Sequence, residues 1–179
     1  MRPRVIGIVG HIRAGKTTAS KYLVERYGYT LASNSEVLSN ILEYMDLPAT
    51  RENLSRLGNA IFLNIGNDAI ARFRLKNLDQ DHIVVDGIRY IEEVEEYRKE
   101  PSFVLLGIIA SDSNRLERTV NEVKSLKDRD ITTEKFGKLS LARSELEVPS
   151  IIEMADFKIV NNGPIEQLYS DISNMLSKL

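Results

Sequence analysis

The stretch Arg4 to Tyr27, RVIGIVGHIRAGKTTASKYLVERY, constrains the fold of this chain more than any other. An apolar run, Val5 to Val9, stops at Gly10. Gly15-Lys16-Thr17 then opens a segment with helical spacing, so G-x-x-x-x-G-K-T stands between a strand and a helix. Such a loop turns successive backbone N–H groups inward around an anion at the positive end of a helix dipole, and side chains at Gly10 and Gly15 would block that turn. Lys16 adds a mobile charge suited to the outer phosphates of a nucleotide, and the Thr17 hydroxyl can ligate Mg²⁺. An ordinary Gly-containing turn with a solvent-facing lysine needs no such coincidence of strand, two glycines, Lys-Thr and helix.

At 179 residues the chain is long enough for one sizeable core, and a single domain with at most a mobile insert is expected. Its net charge is −2 and its pI about 5.8. No broad basic surface is implied, so no nucleic-acid partner is expected. With no cysteine, disulfides, thiolate metal sites and cysteine nucleophiles are excluded, and a reducing, cytoplasmic setting is expected. Basic residues precede the first apolar run, but that run is five residues long and leads straight into the phosphate loop. Neither a signal peptide nor a membrane span is expected there.

The first helix should run from Lys16 to Tyr27, with Ala19, Leu23 and Tyr27 on one face and Gly28 as its left-handed stop. Tyr29 to Ala32 reads as a short strand. Ser33-Asn34-Ser35-Glu36 has the form of a capping box for a helix reaching Leu47-Pro48. A long helical pattern covers Arg51 to Leu75, weakened by Gly58 and Gly66. His82 to Gly87 is a buried-looking strand ending in Asp86. A carboxylate there, beside the phosphate loop, can hold the water shell of a Mg²⁺ bound by Thr17, while the same Asp-Gly pair would also serve as a strand-ending turn. The acidic helix Glu92 to Glu100 reads as a solvated face with Val94 and Tyr97 turned inward. Phe103 to Ala110 is a continuous apolar strand, and Asp112 to Lys127 a helix carrying Arg115 and Arg118.

From Ser125 to Glu147 the chain is strongly charged with few apolar residues, which suits either a moving lid or a plain surface hairpin of two helices. A short helix over Pro149 to Ala155, a fifth strand over Asp156 to Val160 and a closing helix after Asn161-Asn162-Gly163-Pro164 complete the pattern. Strands alternating with helices imply an α/β fold, a parallel sheet with right-handed crossovers and helices on both faces. Ligands of such sheets sit at the strand C-termini, where Gly10, Asp86 and Ala110 fall.

Together the phosphate loop, Asp86-Gly87-Ile88-Arg89, Arg115 with Arg118, the arginine-bearing charged segment and Ala155-Asp156-Phe157-Lys158-Ile159-Val160-Asn161-Asn162-Gly163 resemble a P-loop small-molecule kinase of the nucleoside monophosphate kinase type. The likeness is greatest to the dephospho-CoA-kinase-like and adenylate-kinase-related proteins of that group, and it covers most of the chain. The resemblance implies a P-loop NTPase fold, a five-stranded sheet of order 2-3-1-4-5, an acceptor-binding insert over roughly residues 33–80 and a helical lid over 125–147. It implies ATP and Mg²⁺ as cofactors and a small phosphorylated acceptor as partner. Gly10, Ala14, Gly15, Lys16, Thr17 and Thr18 would hold the phosphates, with Thr17 and Asp86 on the metal. Arg89 would grip the acceptor phosphate, and Arg118 with Arg129 or Arg143 would close over the transferring group. Asn161 and Gly163 lie where the group places its adenine-contacting loop, and they also suit a helix-entry turn.

Two positions depart from the group. Arg13 stands where many of its loops have a third glycine, either crowding the loop or adding charge. Where the dephospho-CoA-kinase-like pattern has an Asp after the second strand, this chain has Ser35 and Glu36, so Glu36 is either an acceptor-side carboxylate or a helix cap. Transfer to a ribose hydroxyl, as in a dephospho-CoA kinase, therefore stands beside transfer to a monophosphate. From another class, a regulatory nucleotide switch with slow hydrolysis would share the loop. No Asn-Lys-x-Asp guanine-reading element follows a late strand, and the chain's length disfavours a motor or AAA-type ATPase.

Overall fold

In the computed structural model, residues 2–78, 81–122 and 143–179 are described. Five strands, β1 (Val5–Val9), β2 (Thr30–Ser33), β3 (Ile83–Asp86), β4 (Phe103–Ile109) and β5 (Phe157–Val160), form one sheet of order β2-β3-β1-β4-β5. All neighbours are parallel, with Val5 level with Ile83 and Phe103, and Ser33 level with Asp86. The α/β architecture and sheet order expected of a P-loop fold are those observed.

The sheet is buried on both faces, and period-two alternation sorts its side chains. Val5, Val9, Val85 and Leu105 join one core cluster; Ile6, Ile8, Val84, Leu106 and Ile108 join the other. Helices α1 (Lys16–Tyr27) and α9 (Ile165–Ser177) cover the second face through Ala19, Leu23, Leu168 and Ile172. Helices α4 (Ala69–Lys76), α5 (Ile91–Tyr97) and α8 (Val148–Glu153) cover the first through Ala71, Val94, Tyr97, Ile151 and Ile152. The insert between β2 and β3 also carries α2 (Asn34–Tyr44) and α3 (Arg51–Asn64). After β4 come α6 (Asp112–Glu122) and the short α7 (Arg143–Leu146).

Several local expectations are corrected. The helix expected over 51–75 is two helices, α3 and α4, parted at Gly66, whose φ of 141° no ordinary L-residue adopts comfortably. Gly58 stays inside α3, where a Cβ would press on Leu38 at 3.3 Å, so its role is close approach of α2 and α3. Only half of the Ser33–Glu36 capping box forms: Ser33 Oγ accepts from the Glu36 N–H at 3.2 Å, while the Glu36 side chain is exposed. The acidic helix is not solvated throughout, because Glu93 is fully buried alongside Val94 and Tyr97. Of the lid expected over 125–147, residues 125–142 and with them Arg129 lie outside the described residues. Residues 143–147 hold α7 and a buried Glu145. No described helix is long and apolar enough to cross a membrane.

Candidate active site

The C-terminal ends of β1, β2, β3 and β5 open into one cavity of about 820 Å³. Its floor is the loop from Gly10 to Gly15. Gly10 passes so close to β4 that a Cβ would lie 2.4 Å from the Ile108 carbonyl oxygen, and Gly15 (φ 109°) leaves room for Asn161, whose Nδ2 a Cβ would meet at 2.3 Å. Arg13 adopts φ 66°, the left-handed conformation that a glycine in its place would take freely.

The loop carbonyls are held from outside. Arg118 donates from Nη1 to the carbonyls of Arg13 and Ala14, both at 3.2 Å, and from Nη2 to that of Asn161 at 2.7 Å. Asn161 Nδ2 donates to the Ala14 carbonyl at 2.8 Å. Within the loop the Ile12 amide is taken by Glu145 Oε2 at 3.2 Å and the Ala14 amide by the His11 carbonyl at 3.1 Å, so an anion would be met by the amides at the start of α1. Arg118 therefore lines the cavity as a brace of the loop, with three donor contacts already made.

Lys16 Nζ lies along the same loop, donating to the carbonyls of Gly10 at 2.8 Å and His11 at 3.0 Å. Burial, reinforced by the Arg89 charge, pushes its pKa down to about 8. Thr17 Oγ1 donates to Asp86 Oδ2 at 3.1 Å, while Asp86 Oδ1 is buried with no hydrogen-bond partner among the described residues. A hydroxyl and a carboxylate with an unsatisfied oxygen, set at the foot of a phosphate loop, fit a hard cation such as Mg²⁺. Among the described residues no group of three or more His, Cys, Asp or Glu could hold a metal, so such a cation would depend on phosphate oxygens for the rest of its shell.

Arg89 reaches the cavity from the loop after β3, fixed at two points. Its backbone N–H and that of Tyr90 donate to Glu93 Oε2 at 2.9 and 3.1 Å. Its Nη1 contacts Glu145 Oε1 and lies 3.5 Å from the Gly10 carbonyl. The other oxygen of Glu93 accepts from Asn34 Nδ2 at 2.8 Å, which ties the start of α2 to the same carboxylate. Burial raises the Glu93 pKa, opposed by those same hydrogen bonds. Burial and then the Arg115 charge lower that of His11, which lies 3.5 Å from Glu145, so at neutral pH the imidazole is uncharged and Arg89 is the cation in direct contact with that carboxylate.

The fold thus brings together Gly15, Lys16, Thr17, Thr18, Asp86, Arg89, Arg118, Asn161 and Gly163 as lining residues, with Gly10 and the buried Ala14 behind them. Glu36 is exposed and does not line the cavity, where Ser33, Asn34 and Ser35 do. Arg143 lies on α7, at the far side of the segment outside the described residues. Sequence reasoning missed Glu93 and Glu145, and also Arg51, Phe62 and Tyr90 on the insert side. Glu93 follows Tyr90, whose side chain does not cap a helix, so the Ser/Thr-x-x-Glu signal was missing there. Glu145, one carboxylate in a charged run, offered none.

A family profile described as an AAA domain matches residues 6–137. The UPF0200 protein of Staphylothermus marinus is 30% identical over 100% of this chain and 94% of its own length. A UPF0200/UPF0201 protein of Archaeoglobus fulgidus is 30% identical over 98% of this chain, which spans 56% of that relative. Among solved structures, shikimate kinase from Acinetobacter baumannii in complex with shikimate aligns over 99% of this chain and 94% of its own, with a TM-score of 0.61 at 19% identity. The Mycobacterium tuberculosis APS kinase, solved with AMPPNP and APS, aligns over 98% of both chains with a TM-score of 0.56 at 13% identity. These likenesses show a kinase-type P-loop fold. The AAA-domain match corrects the expectation, drawn from length, that set an AAA-type chain aside.

Proposed function

We propose that this chain, which belongs to the AAA-domain family and to the UPF0200 proteins, is an ATP- and Mg²⁺-dependent phosphotransferase acting on a small phosphorylated acceptor, of which a nucleoside or deoxynucleoside monophosphate fits best. The observation that carries this reading is that one cavity holds a phosphate loop and, beside it, an arginine with donors to spare. Arg89 uses Nη1, and its Nε and Nη2 make no hydrogen bond among the described residues. A guanidinium edge of that kind takes two phosphate oxygens at once.

When bound, ATP supplies the γ-phosphoryl group and Mg²⁺ screens its charge. The chain's own part is positioning and charge complementarity. Amides from Gly15 to Thr18, at the start of α1, would receive the phosphates, and Lys16 would turn from the Gly10 and His11 carbonyls toward the outer ones. Thr17 and Asp86 hold the metal. Asn161 and Gly163 border the adenine. Arg89 clamps the acceptor phosphate, while Asn34, Ser35 and Arg51 with the Phe62–Tyr90 pair, whose ring centroids are 5.1 Å apart, flank the rest of the acceptor. Arg118 keeps the loop in shape, and Arg129 or Arg143 completes the charge around the transferring group. A cytoplasmic setting and independence from nucleic acid and membranes belong to the same reading, as does a lid within 125–147 whose movement leaves Glu145 in place.

A monophosphate is favoured over a ribose hydroxyl because a hydroxyl benefits from a carboxylate base near its attacking oxygen. Glu36, the candidate for that task, is exposed and outside the cavity lining. An acceptor panel of ribo- and deoxynucleoside monophosphates plus dephospho-CoA tests the assignment, with products identified by mass and phosphate position. ADP together with a nucleoside diphosphate is expected. Transfer to the 3′-hydroxyl of dephospho-CoA alone would overturn the acceptor class, and free phosphate that no acceptor alters would point to a switch.

A further inference from the structure

We infer that Glu145 is the positioning residue of Arg89, holding the guanidinium by its Nη1 so that the Nε–Nη2 edge faces the acceptor; the inference rests on the phosphotransferase reading for what Arg89 grips. Both oxygens of Glu145 are engaged: Oε1 by Arg89 Nη1, and Oε2 by the backbone N–H of Ile12 at 3.2 Å, with His11 Nδ1 3.5 Å away. The Glu145 side chain is 1% exposed and that of Arg89 22%. A carboxylate so buried is stable only where a matching cation and hydrogen-bond donors meet it, so the pair is a fixture of the site and not a surface ion pair.

Its placement joins three separate stretches of chain. Ile12 belongs to the phosphate loop, Arg89 to the loop after β3 and Glu145 to α7, 56 residues further on. Arg89 is held from below as well, through its backbone N–H on Glu93. An arginine otherwise loses much rotamer freedom when it grips a ligand; one fixed beforehand loses little, and the saving appears as acceptor affinity. Because Glu145 occupies Nη1, the edge left is the one that can take two oxygens of a phosphate side by side. Ile12 on the same carboxylate sets that edge at a fixed distance from the donor loop, which is what in-line transfer requires.

The test is Glu145→Gln, close in shape and without the charge. With the acceptor that supports turnover in wild type, its KM should rise tenfold or more, while dissociation of a fluorescent mant-ATP·Mg²⁺ complex stays within threefold. In an Arg89→Lys background, Glu145→Gln should add little. Equal losses for nucleotide and acceptor would overturn the inference, placing Glu145 on the loop through Ile12, and so would unchanged KM. A second readout needs no variant of Glu145 and no acceptor: the Arg89 Nε–Hε NMR signal, assigned by its absence from Arg89→Lys. It should be as rigid as the backbone in wild type, and fast averaging there overturns the inference. If wild type forms no acceptor-dependent ADP, the phosphotransferase reading fails instead, and this signal still decides on Glu145.

Discussion

Lys16 pays for its position before any nucleotide arrives. Its pKa falls from an ordinary 10.5 to about 8, so at neutral pH the folded protein carries a desolvated charge that costs on the order of 2 kcal/mol after allowing for partial exposure. The unfolded lysine keeps its proton up to about 10.5, and the folded one releases it near 8. Between those values the unfolded state binds more protons, so this contribution to stability rises with pH and is lost as pH falls through about 8. Phosphate oxygens beside Nζ would raise the pKa again. Binding of ATP at pH 8 should therefore take up roughly half a proton, measured by calorimetry in buffers of different ionisation enthalpy. Lys16→Met should remove that uptake, and Lys16→Ala should abolish transfer while leaving the fold intact. Proton release, or uptake unchanged in Lys16→Met, would mean that another group titrates. Lys16 was legible in the sequence because its chemistry is local: two glycines, a lysine and a helix start fix it within the loop. Glu36 and Glu93 were not separable in that way. Each stands three residues after the residue that precedes a helix, Ser33 or Tyr90, and only the packing of α5 against the sheet buries one of them.

At the scale of elements, that buried glutamate works as a joint. Glu93 accepts from the N–H groups of Arg89 and Tyr90 at the entry to α5, and from Asn34 at the entry to α2. Glu93→Ala would leave two backbone donors and an amide without their acceptor. Each unsatisfied buried donor costs about 1–3 kcal/mol, so a loss of roughly 3 kcal/mol is expected, or a melting temperature lower by about 6–12 °C for a chain of this size. Thermal unfolding followed by circular dichroism checks it, and a shift under 2 °C would show that solvent replaces the joint. The glycines make the same point about legibility. Gly58 and Gly66 looked alike as weak points of one long helix. Gly66 takes φ 141° and ends α3, whereas Gly58 stays helical because α2 packs against it through Leu38. Gly66→Ala should destabilise by about 1 kcal/mol without fusing α3 to α4, read from urea unfolding. A neutral or stabilising effect would mean the break is not set by that backbone angle.

Across the whole molecule, the strands were legible as short runs between helical patterns, most clearly the apolar β1, β3 and β4, while their order followed from the resemblance to P-loop kinases. The site was legible at the phosphate loop, at Asp86 and at Arg89. The rest of the lining comes from α2, α3 and Tyr90, whose side chains converge through tertiary packing and share no spacing. This division yields a last prediction, for the response of the fold to ligands. With Asp86 the carboxylate beside Thr17, and no described group of three His, Cys, Asp or Glu to hold a metal, Mg²⁺ alone should leave the melting temperature unchanged within about 1 °C. ATP with Mg²⁺ at about a hundred times its Kd should stabilise by about 2.7 kcal/mol, a rise of roughly 5–10 °C for this chain length. Asp86 enters that response through its oxygens: Oδ2 accepts from Thr17, and Oδ1 is buried without a partner among the described residues. Removing the charge should thus relieve the ligand-free fold while removing a metal contact. Asp86→Asn is expected to melt at the wild-type temperature or above it without ligand, and to keep the shift given by ATP in EDTA while losing the extra shift that Mg²⁺ adds. A ligand-free melting temperature several degrees lower, with the Mg²⁺-dependent shift intact, would make Asp86 a structural turn residue and move the metal elsewhere.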